Sequence, residues 1–406
     1  MAMVQNDFSR EQVISHLAHR PNYIIRSVIQ VDETAKLSFT KTRRVYRSSS
    51  PLPSPPPSSS SSSPSPLTFL PSFASSIGEL DILPLEVLHA SLLYLDLQSL
   101  SRFLRVSRQA KAVVESLPVY RDLLLSAGHV FTVLKRTGVI SLHSAATLHT
   151  ALRSEQCVSC LECYGPFLFL LSAERCCYTC MARNQSLWMI PLTIARECFH
   201  LRPRDLKKLP TLWSIPGTYS VEHSVSRKRA IRLTSVRAAK DLALRIHGST
   251  AALALYLAKN AHGLGAADAN SNLDKTSNKR LYYLRWLRAA PMEPLPAGYE
   301  NPGLTVGNVP NDRFCGMGCV AFPSLSKREV ENGIWCRGCE LTNNPFSPQS
   351  RFNNRLASDS APQGRKAHQY LRDLQYRARS QTDFLEHAKC CYSAREVIES
   401  KYRGLL

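Results

Sequence analysis

Two pairs of cysteines, each pair separated by two residues, constrain this chain more than any other feature. Cys157 with Cys160 and Cys177 with Cys180 stand sixteen residues apart in EQCVSCLECYGPFLFLLSAERCCYTC. Zinc takes four soft ligands at a tetrahedral centre, and a two-residue spacer lets both thiolates of one tight turn reach the same ion. The intervening PFLFLL reads as a short strand, placed to form a hairpin between the two turns. Cys163 and Cys176 lie in the same stretch, and Cys160 with Cys163 is also a two-spaced pair. The outer four, Cys157, Cys160, Cys177 and Cys180, are preferred because they keep the turns at opposite ends of the hairpin. Four thiolates leave no position open for substrate or activated water, so the expected metal is structural.

A second set lies downstream. RFCGMGCVAFPSLSKREVENGIWCRGCE offers Cys315, Cys319, Cys336 and Cys339, again with sixteen residues between the pairs. DFLEHAKCCYSAREVIES carries His387 and Cys391 at i and i+4, one face of a helix, with Cys390 as an alternative at i+3. Cys336 and Cys339 are therefore completed either by Cys315 and Cys319 or by His387 and Cys391. None of the thirteen cysteines falls in the first 156 residues, and the start MAMVQNDFSREQ has no apolar core behind a basic run. The longest apolar runs, PFLFLL and AALALYLA, are far short of a membrane span. These features predict a soluble intracellular protein, cytoplasmic or nuclear, without a membrane partner, whose reduced cysteines bind metal in preference to forming disulfides.

Glu79 to Leu125 predicts three or four short helices. Leu85, Leu88, Leu92 and Leu95 recur at steps of three, four and three, one stripe along a helix that Pro84 opens. Asp96 caps a second helix with Leu97, Leu100, Phe103 and Leu104; Ser107 caps a third; Pro118 starts a fourth with Tyr120, Leu123 and Leu124. So short a bundle makes a small core, which implies that some of these leucines meet another polypeptide. The run LPLEVLHASLLYLDLQSLSRFLRVSRQAK resembles an F-box: a Leu-Pro opening with an acidic residue two positions on, a Leu-Asp-Leu pair, then Leu-x-Arg and Val-Ser-Arg. F-box helices dock on the adaptor subunit of cullin-RING ubiquitin ligases. The resemblance implies that Leu83, Pro84, Leu85, Val87, Leu88, Leu95, Leu97, Leu100 and Val106 face the adaptor or the packing beneath it.

Charge supports a two-part molecule. Residues 79–130 carry five basic residues against six acids, whereas the 276 residues after them carry 38 against 21, most of the net charge of +20. A neutral docking end thus precedes a basic body. Residues 48–66 hold eleven serines and seven prolines with nothing to bury, and read as a disordered spacer. Beyond the box, HVFTVLKRTGV reads as a helix closed by Gly138, and SAATLHTALRSE as one capped by Ser144. A long helix is expected from Ser226, with Ile231, Ala238, Leu242 and Ile246 on one face. Residues 262–280 read as a polar loop, and RLYYLRWLRAAPMEP as half-buried structure with an aromatic and basic mix that could also stack bases.

The motifs ALRSEQCVSC, ERCCYTC, LPTLWSIPGTYS, LRIHGS, GIWCRGCE and FLEHAKCC together resemble the cysteine-rich body of fungal F-box proteins. That pattern implies that Cys336, Cys339, His387 and Cys391 form the second site. The expected fold is mainly α with small β-hairpin zinc knuckles. A disordered tail (1–78) precedes the helical F-box (79–126), a helical region with the first knuckle (127–260), a linker and helix (261–312), and a second zinc region (313–406).

Catalysis finds no support in these patterns. A zinc deaminase needs His-x-Glu and Pro-Cys-x-x-Cys, but Gln156, Cys176 and Trp335 precede the pairs here. His-Glu-x-x-His is absent. A RING needs a Cys-x-His step soon followed by a cysteine pair, whereas after Cys198 and His200 no cysteine occurs until Cys315. The expected role is a non-enzymatic substrate receptor that binds the ligase adaptor through the box and an unknown protein substrate through a body braced by two structural zinc ions. The alternative is a zinc-containing nucleic-acid-binding or scaffold protein whose box serves another interaction.

Overall fold

The computed structural model describes residues 9–30, 75–221, 223–261, 275–292, 314–326, 329–343 and 367–402. The Ser/Pro-rich stretch 48–66 and the first part of the expected loop, 262–274, lie outside them. The described chain is mostly helical with small antiparallel sheets, as expected.

Residues 9–30 correct the expectation of an unfolded approach running to residue 78. Ser9 and Gln12 form a capping box at the start of α1 (Arg10–Leu17). Strand β1 (Ala18–His19) and helix α2 (Asn22–Ile25) follow, and Ile29 makes a parallel bridge to Val320. Leu17, Ile24, Val28 and Ile29 are buried. Local composition could not show this, because the partners of these residues lie at the far end of the chain.

A 3₁₀ turn (Gly78–Ile82) leads into α3 (Leu85–Leu93), with Pro84 at its N-cap. The Asp96 carboxylate accepts from the Gln98 and Ser99 amides, each at 2.9 Å, and so starts α4 (Leu97–Phe103). Ser107 caps α5 (Arg108–Ser116). Helix α6 (Pro118–Thr137) kinks at Ala127 and stops at Gly138, whose φ of 77° is open to glycine at little cost. Ser144 caps α7 (Ala145–Arg153). Leu88, Leu92, Leu97, Leu100 and Val114 are buried in one core with α6, α7 and the hairpin of β2 (Phe167–Phe169) and β3 (Glu174–Cys176). At roughly 1.5–3 kcal/mol for each large apolar side chain, this burial holds the helices to the hairpin. The boundary expected at residue 126 therefore runs through the middle of α6.

After α8 (Tyr178–Arg183) come β4 (Met189–Pro191), α9 (Leu192–Phe199), α10 (Pro203–Leu206), β5 (Leu212–Trp213) and the hairpin β6 (Gly217–Val221) with β7 (His223–Arg227). The long helix expected from Ser226 does not form there. Strand β8 (Arg232–Ser235) takes its first part, with Leu233, Thr234 and Ser235 buried between β4 and β5. Ser235 then caps α11 (Val236–His247), Gly248 ends it at φ 88°, and α12 (Thr250–Ala261) is a separate helix. The seven-four-four spacing spanned a strand and a helix; pairing with two distant strands overrode it. Ile246, expected on the apolar face, is exposed.

Helix α13 (Lys275–Arg288) begins inside the expected loop 262–280. It packs with α9, α11 and α12 in a second core, where Trp286 stacks on Trp188 at 6.1 Å between ring centres. The aromatic and basic segment RLYYLRWLR thus places Leu284, Trp286 and Leu287 inside the protein. Strand β9 (Cys319–Ala321) pairs with the free edge of β2, giving the sheet order β3-β2-β9. Strands β10 (Ser324–Ser326) and β11 (Glu329–Glu331) form a hairpin. Strand β12 (Trp335–Cys336) pairs with β1, and α14 (Arg337–Asn343), α15 (Ala367–Tyr376), α16 (Gln381–Cys390) and α17 (Tyr392–Tyr402) complete the chain. Leu17, Phe384, Ala394, Val397 and Ile398 make the third core around Cys336 and Cys339.

Candidate metal centres and docking face

The first centre is built at the open end of the β2–β3 hairpin, where Phe167 stands opposite Cys176, so the turns before β2 and after β3 meet there and do not lie at opposite ends as the sequence suggested. Its opening turn closes through the Cys157 amide to the Cys163 carbonyl (2.8 Å) and the Leu161 amide to the Cys157 carbonyl (2.8 Å), with Leu161 in the left-handed region. On the other side Cys177 caps α8, its sulfur accepting from the Cys180 amide at 3.4 Å. Ligand atoms of Cys157, Cys160, Cys177 and Cys180 all lie within 4.8 Å of one another. Sulfurs of a tetrahedral zinc site stand about 3.8 Å apart, given Zn–S bonds near 2.3 Å. The donor set therefore fits such an ion. Shared protons set the thiols apart: hydrogen bonds, first with Cys157 and then with Cys163, hold Cys160 well below its ordinary range, while the same network, led by Cys157, pushes Cys177 up. Cys163 borders the cluster without joining the four, and Cys176 is turned into the sheet, 3.9 Å from Cys319.

The second centre joins distant segments. Cys336 ends β12, Cys339 sits in the first turn of α14, and His387 lies in the last turn of α16. Cys391 is the residue after that helix, its amide bonded to the His387 carbonyl at 2.9 Å, so the i, i+4 pair forms at a helix end. The Cys339 sulfur is 3.2 Å from His387 Nε2 and 4.0 Å from the Cys391 sulfur. These four ligand atoms also lie within 4.8 Å of one another. Cys390 is exposed and outside the group. Cys315 and Cys319 are elsewhere: Cys315 donates to the Met181 carbonyl at 3.0 Å, and Cys319 is held on β9 beside the first hairpin. Of the two completions open to the sequence, the geometry gathers His387 and Cys391.

Gly338 lies between the two cysteines of the second turn. A Cβ there would fall 2.5 Å from the Ala394 nitrogen and 2.8 Å from its Cα, where backbone cannot yield. Gly338→Ala is expected to push α17 off the centre, at a cost of about 1–3 kcal/mol for overpacking. Metal content and the urea midpoint should both fall, and wild-type values for both would refute the close packing described here.

The residues that the resemblance assigns to the adaptor or to the packing beneath it divide into two groups. Leu88, Leu97 and Leu100 are buried beneath the surface and Leu95 is half-buried. Leu83, Pro84, Leu85 (47% exposed), Val87 (48%) and Val106 (69%) are open to solvent. Ile82, at 83% exposure, extends the same edge and was not singled out by sequence, since a lone apolar residue before Leu-Pro carries no periodic signal. Among the described residues no helix is long and apolar enough to cross a membrane.

In comparison with known families, residues 80–122 match the F-box domain family. No curated protein and no solved structure matches the chain. An F-box is typical of non-catalytic ligase subunits and implies binding to their adaptor. The chain thus carries a segment that matches the F-box domain family, from before α3 into the start of α6, together with two groups of four cysteine and histidine ligand atoms that could each hold a metal ion.

Proposed function

We propose that this protein is a substrate receptor of a cullin-RING, SCF-type ubiquitin ligase. The box docks on the adaptor, the metal-braced body presents a protein substrate, and ubiquitin transfer belongs to other subunits. The observation that carries this reading is the exposed apolar edge Ile82, Leu83, Leu85 and Val87, which lies over a buried leucine core inside the segment that matches the F-box family. Large apolar side chains left in water and concentrated around one helix start mark a protein contact. Zinc is the metal proposed for both tetrads, because thiolate and imidazole donors at tetrahedral spacing suit it and four protein ligands close the site. Both centres then act as structural braces.

The test is affinity capture of the tagged protein from its own cells, beside a Leu85→Asp, Val87→Asp double variant. Both side chains are exposed, so the fold should survive while a docked carboxylate loses its water. The adaptor should come down with wild type and be depleted at least tenfold with the variant. Equal recovery, or none with either protein, would remove the receptor reading.

A further inference from the structure

The second helical core carries an open cavity of about 350 Å³, none of whose lining residues belongs to the metal centres or to the F-box segment. Phe199 of α9 and Leu253, Ala254 and Leu257 of α12 give it an apolar lining. Lys240 of α11 and Arg288 of α13 also line it. Both cations are held by main-chain carbonyls: Lys240 donates to Ala290, and Arg288 Nε to Cys198 at 2.9 Å. Neither has a carboxylate within 4 Å among the described residues. Asp241, next to Lys240 in sequence, is paired with Arg245, and Glu197 lines a neighbouring cleft with Arg196 and His200. The sequences of α12 and α13 contain no acid at all.

Two half-buried cations at an apolar cavity, without a carboxylate beside them among the described residues, are an arrangement that folding alone does not favour. Taking a charge from water costs several kcal/mol unless an opposite charge answers it, and a methionine would fill the same space. Burial pushes the Lys240 ammonium downward in pKa, the direction expected of a cation with no anion beside it. An arginine fork and a lysine point charge together suit a carboxylate, and the cavity volume is that of a small-ligand site.

We propose that this cavity binds a carboxylate carried on a short apolar body. The Arg288 guanidinium and the Lys240 ammonium hold the head, and the body lies along Phe199, Leu253, Ala254 and Leu257. That chemistry has two sources, a small amphiphilic acid or the free C-terminus of a protein that ends in an apolar residue. The inference does not depend on the ligase reading.

The full-length protein is titrated by calorimetry with sodium decanoate and with 1-decanol, then with an unstructured peptide ending in leucine, as the free acid and as the amide. Acid forms should bind at least tenfold more tightly than neutral forms. Lys240→Met and Arg288→Met should each weaken binding by about tenfold, as expected for losing one hydrogen bond to a charged group. Leu253→Trp should block binding while keeping both cations. Decanoate binding alone assigns a small amphiphile, and binding of the free-acid peptide assigns a chain terminus; either supports the site. The proposal fails if no acid binds, if neutral forms bind equally, or if all three variants bind as wild type does. Should a variant unfold by circular dichroism, the acid against neutral comparison on wild type decides alone.

Discussion

Cys177→Ser is expected to empty the first metal centre and to unfold the hairpin around it. A structural zinc ion contributes an apparent 10–16 kcal/mol in small zinc-binding folds, as much as a whole domain's net stability of roughly 5–15 kcal/mol. Cys177 is one of the four gathered thiols and also the cap of α8; serine can still cap that helix, so the substitution acts through the metal. Elemental analysis after dialysis should fall from two zinc ions per chain to one. Cys163→Ser, which alters a thiol beside the cluster, should keep both ions; at the second centre Cys391→Ser should lose one and Cys390→Ser none. Full zinc content in Cys177→Ser, or loss in Cys163→Ser, would contradict the ligand set.

Arg175→Met should be the most damaging substitution away from the metal ligands. Arg175 is 1% exposed and donates to four carbonyls: Gly165 (2.9 Å), Ala151 (3.1 Å), Pro323 (2.9 Å) and Phe322 (3.0 Å). Its guanidinium also lies 5.1 Å from the Phe322 ring centre and 5.7 Å from that of Tyr164. It thereby ties β3 to α7 and to the segment after β9. Methionine keeps most of the volume but leaves buried carbonyls without donors, at about 3–5 kcal/mol in total. The urea midpoint should drop with little change in slope. A midpoint within error of wild type would mean that water replaces the guanidinium at no cost, against the burial seen here.

Arg175 also shows where the sequence stops being informative. It stands among 51 lysines and arginines with nothing local to mark it, and its importance comes from four carbonyls contributed by residues 151, 165, 322 and 323. Features written into adjacent residues were legible: the caps Asp96, Ser107 and Ser144, the stop at Gly138, and the strand between the first two cysteine turns. The second centre was half legible, because Cys336 and Cys339 announce a metal turn while the choice between Cys319 and Cys391 depends on which strand pairs with β2. The N-terminal segment was misread for the same reason. Polar and isolated in sequence, residues 9–30 are fixed by Ala18 opposite Cys336 and by Ile29 beside Val320. Strand β8 was read as helix because both of its hydrogen-bonding partners are remote.

These pairings bear on function. The N-terminal segment braces the second centre, the F-box shares a core with the first, and strand β9 joins that core to the later half of the chain. On the proposed function, these shared cores would fix a substrate held by the body relative to the docking edge, as positioning it for a second catalytic subunit requires.

The central claim is that this edge docks on the ligase adaptor. The direct measurement is calorimetry of the purified full-length protein with purified adaptor, for wild type, for Leu85→Asp with Val87→Asp, and for Tyr94→Asp as an exposed aromatic control at the opposite end of the same helix, which should bind as wild type does. The account predicts a saturable one-to-one complex with wild type. The double variant should weaken it by at least a hundredfold, the loss of two central apolar contacts, and its circular dichroism and zinc content should be unchanged. No heat of binding with wild type, or equal affinity for wild type and the double variant, would contradict it.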